Sequence, residues 1–134
     1  MTPEAARFMD AARRHLAHAM AVATLGIDEI AGREAYLAAF HAAEAILHDR
    51  TGRVVKTHRG LRTEFARLAR DEPAIDPTCT KFLAEAYEIT SLADYGTDPN
   101  VIISSEQTAT AIQSARRFIE CIAALLGPEE PTVP

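Results

Sequence analysis

The chain has 134 residues, 26 of them alanine, with a formal charge of −5 at pH 7. This length predicts one domain, and the alanine and charge content favours packed helices over sheets. No apolar run approaches the roughly 18 to 20 residues of a membrane helix, the start lacks a signal-peptide pattern, and Cys79 and Cys121 have no CxxC partner. We therefore expect a reduced, cytoplasmic protein that does not contact a membrane.

The first half of the chain predicts two long helices. The first begins at Thr2-Pro3-Glu4, where a capping hydroxyl precedes proline and an acid, and ends about Leu25 before a glycine. The second begins near Asp28 or shortly after Gly32. It ends before Thr51-Gly52, and residues 51–57 form a connector.

The second half predicts one short helix and two longer ones. The short helix spans His58 to Arg70, and prolines mark residues 71–77 as a loop. The next helix begins about Thr78 and ends about Leu92. Ser104-Ser105-Glu106 caps the last helix, which ends before Gly127-Pro128.

These elements predict an all-α, up-and-down bundle of four main helices plus one short helix. Residues 1–127 form the single domain, and we expect residues 128–134 to be a disordered tail. The long helices are rich in alanine on more than one face. Small residues allow close helix approach, and a leftover apolar face predicts a homodimer.

The net charge is unevenly distributed. Residues 50–70 hold seven of the 14 basic residues and one of the 19 acidic residues, so this basic segment carries +6 and the remainder −11. Such a segment offers a local site for an anion. A solvated helix face is the alternative interpretation.

Two histidines are candidates for proton transfer. Arg53 and His58 lie in RVVKTH, and a cation near an imidazole suits phosphodiester chemistry. A loop in which His58 only begins a helix is the alternative. His41 lies beside Phe40 among alanines, which favours a packed core or interface histidine unless it meets His58 in one cleft.

Two further pairs were weighed. Asp94-Tyr95 precedes a glycine break and could line a cleft or make only a local turn bond. His15 and His18 have the spacing of a metal-ligand pair on a helix, but no carboxylate or third histidine with suitable spacing joins them. We expect a surface pair there, with no metal and no cofactor.

Three segments, in this order, resemble small bacterial proteins with a HEPN domain. Residues 35–47, AYLAAFHAAEAIL, resemble the second helix of that family, and residues 56–60, KTHRG, resemble the segment that follows it. Residues 92–96, LADYG, resemble a later signature. The helix of residues 104–126 matches the family's closing helix in length and pattern, and the resemblance spans residues 5–126.

The resemblance implies a dimerising all-α bundle. Many members resemble metal-independent RNA-cleaving toxins, encoded beside a nucleotidyltransferase antitoxin. Their catalytic arginine and histidine lie a few residues apart near the end of a late helix. Here Thr90 stands in place of the arginine and Tyr95 near the place of the histidine, so both halves of that motif are missing. Arg53 and His58 have the spacing in another element, and the family's catalytic roles are not carried over to them.

Two functions follow from this resemblance. The first is a HEPN-type protein of a toxin–antitoxin or defence system that binds RNA or nucleotide, with metal-independent endoribonuclease activity left open. The second is a catalytically inactive module that dimerises and partners a nucleotidyltransferase. The candidate site residues are His58 and His41 for proton transfer, Arg53, Lys56, Arg59 and Arg62 for phosphate or RNA, and Tyr36, Asp94 and Tyr95 for the cleft lining.

Overall fold

The fold is built from α-helices. The computed structural model describes residues 1–95 and 103–130, with residues 92–95 described as backbone only. These described residues form five helices: α1 Pro3–Ala23, α2 Asp28–Thr51, α3 His58–Arg70, α4 Pro77–Tyr95 and α5 Ser105–Leu126. The predicted all-α bundle of four main helices and one short helix is confirmed.

Side-chain caps begin the helices where the sequence predicts them. The Thr2 hydroxyl accepts a hydrogen bond from the Ala5 N–H at 3.1 Å at the start of α1. The Ser104 hydroxyl and the Gln107 side chain form a reciprocal capping box on α5. Each cap satisfies a backbone donor that has no partner within its helix, which fixes the first turn.

Helix α2 is the central element and contacts each of the other four helices. Its contact with α1 is made largely by alanines. Because an alanine side chain ends at Cβ, the two helix backbones can approach closely along their length. The fully buried alanines of this pair are Ala5, Ala12 and Ala19 on α1 and Ala31, Ala35, Ala38, Ala39, Ala42, Ala43 and Ala45 on α2.

Helix α3 is anchored by two apolar side chains and presents its remaining faces outward. Leu61 and Phe65 are fully buried, and the Phe65 ring stacks on Phe118 of α5 with centroids 5.2 Å apart. The Thr57 hydroxyl accepts from the Gly60 N–H at 2.9 Å and caps the first turn. Helix α3 as a whole lies against α2 and α4.

Two predicted boundaries were wrong by a few residues. Helix α1 ends at Ala23 rather than Leu25, because the Leu25 N–H bonds to the Val22 carbonyl three residues back and closes a tight turn before Gly26. Helix α4 continues past Leu92 to Tyr95. Nothing in that stretch prevents a helix, and the first strong breaker is the glycine that follows.

Met1 contacts Pro128 and Glu130 at one side of the bundle. The Glu130 N–H donates to the Met1 carbonyl at 2.7 Å, and the predicted tail beyond residue 130 lies outside the described residues. Within the described part of the chain, no helix is long and apolar enough to cross a membrane.

Candidate functional site

A group of aromatic and basic side chains converges where α3 begins. Tyr36 and Phe40 lie one turn apart on α2, so they share a face of that helix. His58 and Arg62 are likewise one turn apart on α3. Tyr87 of α4 completes the group, which we call the His58 cluster: Tyr36, Phe40, His58, Arg62 and Tyr87.

The imidazole of His58 is held by three rings and one hydrogen bond. Its centroid lies 4.7 Å from Phe40, 5.4 Å from Tyr87 and 5.7 Å from Tyr36. The Tyr36 hydroxyl lies 2.7 Å from His58 Nδ1. His58 nevertheless remains exposed, so the ring is fixed in orientation and open to solvent on its remaining side.

Arg62 supplies the positive charge of the cluster. Its guanidinium carbon lies 4.0 Å from the centre of the Tyr87 ring, which is a cation–π contact. Its Nη1 atom is buried without a hydrogen-bond partner among the described residues. The guanidinium is therefore held by the aromatic face and by its approach to Tyr36 rather than by an acid.

These contacts change the ionisation of two side chains. Burial lowers the pKa of His58, the charge of Arg62 lowers it further, and Glu44 opposes the change. Burial raises the pKa of Tyr36 to about 12, against the charge of Arg62 and a hydrogen bond from its guanidinium. At neutral pH, His58 is therefore mostly neutral and Tyr36 keeps its proton.

The contact between Tyr36 and His58 indicates a tautomer for His58. Because the positive charge of Arg62 acts on the Tyr36 oxygen, we infer that the Tyr36 hydroxyl hydrogen is directed toward His58 Nδ1. A neutral imidazole that accepts at Nδ1 carries its hydrogen on Nε2. We infer that the open side of His58 presents an N–H donor, which suits an anionic oxygen.

The other predicted phosphate ligands lie on either side of His58 in the sequence. Arg53 and Lys56 lie in the connector before α3 and Arg59 in its first turn, and all three are exposed. Arg62 differs from them, because it is partly buried and belongs to the His58 cluster. These four predicted ligands thus comprise one fixed cation and three exposed cations that can adjust to a ligand.

The comparison with known protein families decides the family. The HEPN domain model matches residues 5–125. This chain belongs to the HEPN family. The family includes ribonucleases and nucleotide-binding modules, and none of the curated proteins that were compared matches the chain.

His41 is not brought together with His58 in this HEPN domain. Its Nδ1 lies 2.6 Å from the Glu44 carboxylate, and its ring stacks on His15 with centroids 5.0 Å apart. Phe40 contacts both His41 and His58. No hydrogen bond or ring contact joins the two histidines in the described part of the chain, so they do not form an acid–base pair there.

Three residues near the end of α4, Thr90, Asp94 and Tyr95, are not shown to contact the His58 cluster among the described side chains. The side chains of Asp94 and Tyr95 lie outside the described residues, so their predicted place in the cleft stays a prediction. Thr90 is partly buried and lines a cavity of about 450 Å³ between α4 and α5, together with Phe82 and Ile103. Thr90 therefore does not line the opening beside His58.

The sequence does not predict three residues near His58 as site residues: Tyr87, Phe40 and Glu44. It places Phe40 beside His41 and on one stripe of the second helix with Tyr36, and Glu44 within the family-like helix. The spacing of Tyr36 and Phe40 gave a signal, because residues four apart share a helix face. Tyr87 gave none, since its approach to His58 depends on how α4 packs.

Proposed function

We propose that this HEPN domain binds the phosphate backbone of single-stranded RNA at the surface formed by the connector and α3. The observation that carries the proposal is the exposed His58 imidazole, which the Tyr36 hydroxyl and three aromatic rings hold beside Arg62. Imidazole and guanidinium donors together suit a phosphate oxygen. Lys56 and Arg59 extend the basic surface along the strand.

Binding is better supported than catalysis. A general base needs an imidazole nitrogen with a free lone pair, and a general acid needs an imidazolium near neutral pH. In the inferred tautomer the open nitrogen of His58 carries hydrogen, and the lowered pKa of His58 disfavours the imidazolium. Thr90 in place of the family arginine points the same way.

The proposed setting is a toxin–antitoxin or defence system in which the domain works as a homodimer and partners a nucleotidyltransferase. HEPN domains commonly dimerise. Apolar side chains remain exposed around the α1–α2 turn, with Leu25 at 73%, Ile27 at 43% and Ile30 at 44% exposure. A mass in solution of twice the 14.6 kDa chain would support this setting, and a single-chain mass at working concentration would contradict it.

The binding test compares two double variants with the same change in charge. K56A/R59A removes two cations of the proposed surface, and R13A/R14A removes two exposed arginines of α1. Titration of labelled single-stranded RNA at several salt concentrations gives the affinity and its salt slope. We expect K56A/R59A to reduce the slope by about 1.4, at about 0.7 for each single-strand phosphate contact, and R13A/R14A to leave it near the wild-type value.

The same RNA, incubated with the protein and a chelator, separates binding from cleavage. We expect it to remain intact, as for a binding module. Cleavage that is lost in His58→Ala would instead support a metal-independent ribonuclease. Wild-type protein that shows no affinity for RNA at low salt would overturn the proposed function.

A further inference from the structure

Two helices bring three metal-ligating side chains together on the side of α2 that faces α1. His15 and His18 are three residues apart on α1, so they share one face of that helix. Glu34 of α2 reaches both of them. The His15 Nδ1–H donates a hydrogen bond to the Glu34 Oε2 atom, which also lies 3.8 Å from His18 Nδ1. One ligand atom from each residue lies within 4.8 Å of the other two.

The three side chains differ in exposure in a way that suits ion entry. The side chains of His15 and Glu34 are 23% and 20% exposed, whereas that of His18 is 56% exposed. The two histidine rings are nearly perpendicular, at 82°. His15 and Glu34 are therefore held against the bundle, whereas the exposed His18 side chain can swing onto an ion that enters from solvent.

A further histidine, His41, packs against the ring of His15. His41 stacks on His15 with an interplanar angle of 19°, and its own Nδ1 is engaged by Glu44. Stacking on His41 restricts the orientation of the His15 ring. His41 itself does not belong to the ligand group.

We propose that His15, His18 and Glu34 bind a divalent transition-metal ion, with zinc as the physiological class. Two imidazole nitrogens and one carboxylate oxygen are a set that zinc takes while keeping its fourth position for water. Ligand atoms around tetrahedral zinc are about 3.3 Å apart at bond lengths near 2.0–2.1 Å. The His18–Glu34 separation of 3.8 Å closes to that value by a small side-chain movement, and the hydrogen-bonded His15–Glu34 pair opens to it as the proton leaves Nδ1.

The donor set also indicates which ions do not fit. Magnesium and calcium prefer oxygen ligands throughout, so two imidazoles disfavour them. Nickel and copper also bind such nitrogen and oxygen ligands strongly in solution. They therefore serve as control ions in a titration. A bound ion would cross-link α1 to α2, since its ligands come from both helices.

The test is calorimetric titration of the whole protein with zinc chloride at slightly alkaline pH, where protons compete least for imidazole. We expect one ion per chain, and affinity at least about tenfold weaker in His18→Gln and in Glu34→Gln. His58→Gln removes an equally exposed imidazole outside the group. It should bind zinc as the wild type does.

A second readout does not depend on heat. Cobalt in place of zinc gives an intense visible spectrum when four-coordinate, and we expect that spectrum in the wild type and its loss in Glu34→Gln. His18 is more than half exposed, so His18→Gln keeps the fold, and circular dichroism checks this. Absence of stoichiometric zinc binding in the wild type, or unchanged affinity in both ligand variants, would overturn the proposal.

Discussion

Replacing Tyr36 with phenylalanine removes one hydroxyl and keeps the ring, so it isolates the hydrogen bond to His58. The ring is 2% exposed and packs against Phe40 and Tyr87. A single hydrogen bond contributes about 0.5–1.5 kcal/mol net. We therefore expect Tyr36→Phe to lower the free energy of unfolding by about 1 kcal/mol, and Tyr36→Ala, which also leaves a cavity, by about 3–5 kcal/mol.

The same substitution tests the direction of the hydrogen bond. If the Tyr36 hydroxyl donates to Nδ1, it stabilises the neutral imidazole, and its removal raises the pKa of His58. If it accepts from Nδ1–H, it stabilises the imidazolium, and its removal lowers that pKa. Because the positive charge of Arg62 faces the hydroxyl oxygen and favours donation toward Nδ1, we expect the pKa of His58 to rise.

The assay is an NMR titration of the histidine ring signals in the wild type and in Tyr36→Phe. The ring nitrogen shifts of the wild type also report the tautomer, which we expect to carry hydrogen on Nε2. Denaturant unfolding of both proteins gives the change in stability. A fall in the His58 pKa, or a wild-type Nδ1–H tautomer, would refute the inferred hydrogen-bond chain.

Three further predictions concern pH and packing. The raised Tyr36 pKa means that its stabilising contribution is complete below pH 10 and is lost as pH rises from 10.0 to about 12, so alkaline unfolding curves of Tyr36→Phe should lack this loss. Ala12→Leu overpacks a fully buried α1 position and should cost about 1–3 kcal/mol in chemical denaturation, whereas exposed Ala17→Leu should stay within about 0.5 kcal/mol. Ser104→Ala removes the side-chain cap of α5 and should lower the free energy of unfolding, followed by thermal denaturation, by about 1 kcal/mol.

Local chemistry made the helices predictable. The start of α1 follows from Thr2 and Pro3, and the end of α2 from Gly52, whose φ of 72° favours glycine. The sequence allows α2 to begin near Asp28 or shortly after Gly32, and in the structure it begins at Asp28. The residues at the start of α2 do not fix its first turn by themselves, because no side chain caps the helix there.

The site was predicted only in part, because its contacts join residues that are distant in sequence. The charge asymmetry identified the basic segment, and the family-like run identified Tyr36. The pairing of Tyr36 with His58 spans 22 residues and depends on where α3 packs. Sequence spacing likewise could not join Glu34 to His15, since the partners lie on different helices.

The most direct measurement of RNA binding is an amide NMR map of the protein titrated with single-stranded RNA. The account predicts that shift changes concentrate in residues 52–62, with His58 and Arg62 among the largest, and that the ring signals of Tyr36 and Tyr87 move with them. An unchanged spectrum at saturating RNA and low salt, or changes confined to α1 and α5, would contradict the central claim.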